Sequence, residues 1–104
     1  MTEPQDPGRR ASSPDIPALS AEVQIVNELG LHARSAAKLV NSATKATSAV
    51  NLIRGEESVD AKSLIDILTL ACGKGSRLTI SIAAEEDRAV LEEMTALVEN
   101  GFGE

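Results

Sequence analysis

Between Leu19 and Gly101 the apolar residues switch repeatedly between a period of two and a helical period, and the order of those switches limits the fold more than any other property of the chain. Leu19, Ala21, Val23 and Ile25 alternate with Ser20, Glu22 and Gln24, as in a strand with one buried face. Ala33, Ala36, Ala37, Val40, Ala43 and Thr47 then recur at helical spacing, which predicts a helix to about Ala46 whose small side chains let it lie close to a sheet. Ala49–Arg54 is rich in β-formers, Gly55 and Glu56 read as a turn, and Ser58–Ala61 as a short third strand. Leu64, Ile65, Ile67, Leu68 and Ala71 return to helical spacing, and Gly73 and Gly75 stop them. Leu78, Ile80 and Ile82 alternate with Thr79 and Ser81 inside a strand expected over Arg77–Ala83. Glu85, Glu86 and Asp87 open a last helix with the stripe Val90, Leu91, Met94, Leu97 and Val98, and Asn100-Gly101 ends it with a left-handed stop. The order β-α-β-β-α-β-α predicts an α+β domain with its helices gathered on one face of a sheet.

Composition narrows what such a domain can do. With 104 residues there is room for one small core, and with Phe102 as the sole aromatic that core must be made of Leu, Ile, Val and Ala. A net charge of −6 and the near absence of aromatic side chains argue against nucleic acid as a partner. Cys72 is the single cysteine, which excludes an internal disulfide and a multi-cysteine metal site; it reads as a small apolar residue. No cofactor or metal is called for. The most apolar stretch, Leu64–Cys72, is short and interrupted by Asp66, so a soluble, cytoplasmic protein without membrane insertion is expected. All four prolines fall before Ala18, and residues 1–18 read as a disordered extension ahead of a domain spanning residues 19–104.

The only histidine, His32, stands where the first strand and its loop give way to the first helix. A helix start offers unpaired N–H groups and about half a positive charge, so a phosphate on or beside His32 is stabilised by the backbone itself. Gly30 lets the loop turn sharply. Leu29–Thr47 contains Arg34, Lys38 and Lys45 but no Asp or Glu, a positive segment in an acidic chain. A cation in the first turn opposes the helix dipole, so Arg34 calls for an anionic partner, and its guanidinium can grip phosphate oxygens through parallel donors. Imidazole suits reversible phosphoryl transfer because it is nucleophilic when neutral and leaves readily when the N–P bond breaks.

The segment Gly30-Leu31-His32-Ala33-Arg34-Ser35-Ala36-Ala37-Lys38 resembles the active-site segment of the histidine-containing phosphocarrier (HPr) family of the bacterial phosphotransferase system, including its nitrogen-branch relatives. Ala61-Lys62-Ser63-Leu64-Ile65, with Leu68 and Leu70, resembles the second signature of the same family. The resemblance implies an open-faced β-sandwich, a four-stranded antiparallel sheet covered on one face by three helices. It implies a monomer that takes phosphate on His32 from Enzyme I, itself charged by phosphoenolpyruvate, and hands it to a IIA-type acceptor without turnover of its own. Arg34 would balance charge, and Leu64 and Ile65 would dock partners inside a rim of Lys38, Lys45 and Lys62. One of the two adjacent residues Leu64 and Ile65 is expected to be exposed and the other buried. Ser63 is expected to cap the second helix, with Asp66 as the return partner of a capping box. The resemblance also makes Ser63 a candidate for regulatory phosphorylation by an HPr kinase/phosphorylase, although Asp66 would then stand close to the phosphate. Ser35 stands where many relatives carry proline, from which a looser first turn is expected.

Two rival readings differ in class. One is an interaction module that regulates partners by binding, with phosphorylation of His32 as its switch; the other is a small-ligand-binding domain, for which no second polar motif speaks. The positions of His32 and Arg34 favour the carrier.

Overall fold

The computed structural model describes residues 18–104, so the extension expected over residues 1–18 lies, apart from Ala18, outside the described residues. Ala18 itself donates its N–H to the Ile82 carbonyl at 2.9 Å, which starts the pairing one residue earlier than the expected boundary. The elements run β1 (Leu19–Gln24), α1 (Ala33–Ala43), β2 (Val50–Arg54), β3 (Glu57–Asp60), α2 (Leu64–Thr69), β4 (Arg77–Ile82) and α3 (Arg88–Glu99). Short 3-10 turns at Glu85–Asp87 and Gly101–Gly103 flank the last helix. The four strands form one antiparallel sheet in the order β1-β4-β2-β3, with Val23 opposite Leu78 and Leu52 opposite Ile80. The α+β expectation and the β-α-β-β-α-β-α order both hold. No helix among the described residues is long and apolar enough to cross a membrane.

The core lies between one sheet face and the helices. Leu52, Ile80 and Ile82 come from the central strands, Leu39 and Ala43 from α1, Ile67 from α2, and Met94 and Val98 from α3. Phe102 joins them although its backbone is left-handed, with φ 59°. Cys72, read as a small apolar residue, is fully part of this core.

Two helices differ from expectation, α1 in its end and its buried face and α3 in its start. α1 ends at Ala43 instead of Ala46, because Lys45 and Ala46 bond back over three residues and Lys62 Nζ caps the Ala46 carbonyl at 3.2 Å. Its buried face is Ser35, Ala36, Leu39, Ser42 and Ala43, rotated from the expected apolar stripe; Ala33 and Thr47 are exposed. α3 starts at Arg88, and the acidic run before it is a 3-10 turn.

Asp87 explains that delay. Its buried carboxylate accepts the Thr47 N–H at 2.9 Å, the Ser48 N–H at 3.1 Å and the Ser48 hydroxyl, tying the end of the α1–β2 connection to the start of α3. The Ser48 hydroxyl and the Thr47 amide hold the Asp87 carboxyl below its ordinary value against the opposing effect of burial. A carboxyl with a depressed folded-state pKa stabilises the fold above its unfolded pKa and loses that contribution as the pH falls through the folded one. Denaturant titrations from pH 7 down to pH 3 should therefore show a steeper acid loss in wild type than in Asp87→Asn, whose side chain cannot ionise; parallel profiles would remove Asp87 as the cause.

Gly30 supplies a second constraint. It has φ +67°, and a Cβ there would lie 2.5 Å from the Cys72 carbonyl oxygen and 2.8 Å from the Gly73 Cα. Both the left-handed backbone and the collision with main chain count against any side chain. Gly30→Ala should cost at least about 2 kcal/mol in urea unfolding; a change within about 0.5 kcal/mol would mean the two loops do not need this contact.

Candidate functional site

The loop from β1 to α1 is built as a platform for His32. Ile25 N–H donates to Ser76 O at 2.8 Å, Gly75 N–H to Ile25 O at 2.7 Å and Leu31 N–H to Cys72 O at 2.8 Å, so the α2–β4 loop supports it from below. Asn27, nearly fully buried, donates through Nδ2 to Gly30 O at 3.0 Å. Ser35 Oγ accepts the His32 N–H at 3.0 Å and donates to Gly30 O at 2.9 Å, with His32 O an alternative acceptor at 3.2 Å. The looser first turn expected of Ser35 is therefore not found: the serine side chain is buried and closes the backbone half of a capping box around His32.

His32 is the N-cap of α1, in extended backbone with φ −126°, and its side chain is 28 % exposed. Ala36 N–H to His32 O is the first intrahelical bond, so the amides of Ala33, Arg34 and Ser35 have no acceptor within the helix. The imidazole faces the Ser35 amide but stops short of a hydrogen bond to it. On its other side Nε2 lies 3.0 Å and 3.3 Å from the two carboxylate oxygens of Glu104. The same carboxylate accepts from Arg34 Nε at 3.3 Å and from Asn27 Nδ2 at 3.0 Å. Burial pushes the Glu104 carboxyl upward, but the bonds from Asn27, Arg34 and His32 outweigh it and hold the group below its ordinary value. An ionised carboxylate only accepts, so Nε2 carries a hydrogen and in neutral imidazole the free lone pair belongs to Nδ1.

Glu104 is delivered by the turn after α3. Gly101 takes φ +64° and Phe102 fills the core behind it, while Lys38 Nζ donates to Phe102 O at 2.6 Å. The anionic partner that Arg34 calls for is thus an internal one, supplied from seventy residues away. Neither Glu104 nor Asn27 was singled out in the sequence. No local pattern links them to His32, and the only signal was the acidic-residue-free segment Leu29–Thr47, which marks a place where a carboxylate from elsewhere is welcome.

The remaining predicted residues form a second region. Ser63 caps α2, its Oγ accepting the Asp66 N–H at 3.3 Å. The return bond of the expected capping box is absent, because Ser63 N–H donates to Asp60 O at 3.1 Å instead. Leu64 and Ile65 do not divide into one buried and one exposed residue: they are 37 % and 74 % exposed, and Leu68 is 38 % exposed beside them. Only Ile67 of this short helix turns inward, so the apolar surface is wider than periodicity suggested. Of the expected cationic rim, Lys45 pairs with Glu93 at 2.9 Å, Lys62 caps Ala46 and Lys38 holds Phe102, so each already has an internal acceptor. Leu29, in the loop before His32, adds a further exposed side chain at 65 %.

Comparison with known proteins gives one answer. The family description "PTS HPr component phosphorylation site" matches residues 19–100. Phosphocarrier protein HPr of Cupriavidus necator is 38 % identical over 86 residues, covering 83 % of this chain and 97 % of its own length. Phosphocarrier protein NPr of Shewanella violacea is 35 % identical over 86 residues, covering 83 % of this chain and 94 % of its own length. The crystal structure of HPr-C-His from Thermoanaerobacter tengcongensis superposes with a TM-score of 0.78 at 30 % identity, covering 83 % of this chain and 97 % of that one. The open-faced sheet, the capped helix start and these matches agree: the chain belongs to the HPr family of phosphocarriers of the phosphotransferase system.

Proposed function

We propose that His32 is the residue that carries the phosphoryl group, that it is loaded by Enzyme I, and that a IIA-type protein unloads it. The observation that carries this reading is the placement of one part-exposed imidazole between the first amides of α1 and a carboxylate, with its Nε2 hydrogen committed to Glu104. Nδ1 is then the nucleophile. Its lone pair attacks phosphorus, the N–P bond of the donor phosphohistidine breaks, and the donor nitrogen recovers the electron pair. Transfer to the acceptor reverses these roles. The three first-turn amides and the Arg34 Nη groups, which Glu104 leaves free, meet the charge on the equatorial oxygens.

Docking falls to the apolar surface of Leu64, Ile65 and Leu68, with Leu29. Lys38, Lys45 and Lys62 act there chiefly by keeping α1 and its neighbours in place. Ser63 acts as a cap; a phosphate on it would face the Asp66 carboxylate in the first turn of α2, which argues against regulation at this position.

With phosphoenolpyruvate and Enzyme I, wild type should acquire an acid-labile, base-stable phosphoryl adduct that is missing in His32→Ala; an equal adduct in the variant would move the site elsewhere. Ile65→Glu should raise the KM for loading by about tenfold or more while leaving unfolding unchanged, and an unaltered KM would take docking away from α2. The likeness to the Shewanella NPr favours a second reading, in which the same surface regulates partners by binding. A partner that is lost with Ile65→Glu but retained by His32→Ala would identify that mode.

A further inference from the structure

We propose that the docking surface on α2 is made for a partner that sets a cation, best an arginine, beside the apolar groove that takes Ile65, and that Asp66 is the charge that selects it. The inference rests on the docking role given to α2 above and names the chemistry of the surface that meets it.

The helix itself divides its residues. Ile67 is buried, so Ile65 and Thr69, on the opposite side of a helical turn, form the exposed crest, and Leu64 with Leu68, four residues apart, cover one flank. Asp66 falls on the other flank, half-buried next to Ile65. Its main chain is pinned in both directions, with its N–H donating to Ser63 Oγ at 3.3 Å and its carbonyl accepting the Thr69 hydroxyl at 2.6 Å. The Asp66 carboxylate, by contrast, takes part in no hydrogen bond or ion pair among the described residues. The charges around it are engaged. Asp60 accepts the Lys62 N–H at 2.9 Å, Lys62 Nζ caps Ala46, Lys38 holds Phe102, Lys45 pairs with Glu93, and Lys74 pairs with Glu28 at 2.7 Å. What α2 offers at the edge of its apolar patch is a carboxylate with both oxygens open.

A carboxylate that becomes covered by a partner loses water and must gain a donor in exchange, or binding is weakened. A neutral groove leaves Asp66 stranded and an acidic one repels it, whereas a cation satisfies it. Aspartate has a short side chain, so fixing it on docking loses little rotamer freedom. A guanidinium opposite can grip both oxygens through parallel donors, which makes arginine the better match than lysine. Asp66 also suits the dipole of α2 from the first turn, but that role serves folding and leaves both oxygens available. Because the protein that loads the carrier and the one that unloads it approach the same histidine over the same helix, each is expected to carry the matching cation.

The test measures binding of intact Enzyme I from the same organism, without phosphoenolpyruvate, by calorimetry at low and high salt. It compares wild type, Asp66→Asn, Asp66→Lys and Ile65→Glu, with urea unfolding of each variant to separate the dipole role. Asp66→Asn should weaken binding by about three- to tenfold at low salt and by less at high salt. Asp66→Lys should weaken it further, and both should bind with a shallower salt dependence than wild type. Unchanged affinity in both Asp66 variants, while Ile65→Glu binds poorly, overturns the proposal and leaves docking on α2 standing. Tighter binding of Asp66→Lys also overturns it, since the partner would then present an acid. If wild type fails to bind, or Ile65→Glu binds as wild type does, the docking reading falls and this proposal falls with it.

Discussion

The hydrogen bond from Leu31 N–H to the Cys72 carbonyl, with Gly30 pressed against the same carbonyl, is the contact from which the rest of this molecule is arranged. It joins the loop leaving β1 to the loop entering β4, two strands that are already neighbours in the sheet, and so fixes the point in space where α1 can begin. Because that contact is main chain against main chain, it leaves no flexible side chain to absorb an error. His32 follows one residue later, at a helix start held in place by main-chain contacts as well as by its own side chain.

Electrostatics complete what the backbone starts. The segment Leu29–Thr47 carries cations and no carboxylate of its own, and at its histidine end the fold supplies one, Glu104, from the far end of the sequence. That combination leaves the site balanced but not closed: the ring is part exposed, Arg34 is mostly exposed, and Glu104 is held by three donors. Other bonded carboxylates of the domain lie away from this site. Asp87 locks the end of the α1–β2 connection, and Glu93 pairs with Lys45 on the surface.

Most of the fold was legible in the sequence because strand alternation and helical stripes are local, and each strand's apolar face is written within its own residues. Val23, Leu78, Ile80 and Val98 all fall inside as their spacing implies. What failed was local pattern overruled by hydrogen bonding at a distance. α3 began late because Asp87 serves Thr47 and Ser48, and α1 stopped early because Lys62 caps Ala46. Ser35 is the local exception: its hydroxyl, bonded to Gly30 and His32, holds a turn that the loss of proline suggested would loosen. At the site, His32 and Arg34 were legible from the helix start and the charge bias, whereas Glu104 and Asn27 were not. Their roles depend on contacts across tens of residues that periodicity does not encode. The exposure of both Leu64 and Ile65 was hidden for a related reason: a helix of six residues is too short for its spacing to say which face the core takes.

The central claim is that this arrangement leaves Nδ1 of His32, and not Nε2, free to bond phosphorus. Nitrogen–phosphorus coupling in the phosphorylated, nitrogen-15-labelled protein tests it directly. Splitting by phosphorus confined to the Nδ1 resonance is the expected result, and splitting of Nε2 would mean that the Glu104 contact is broken before transfer and that the geometry described here is not the one that receives the group.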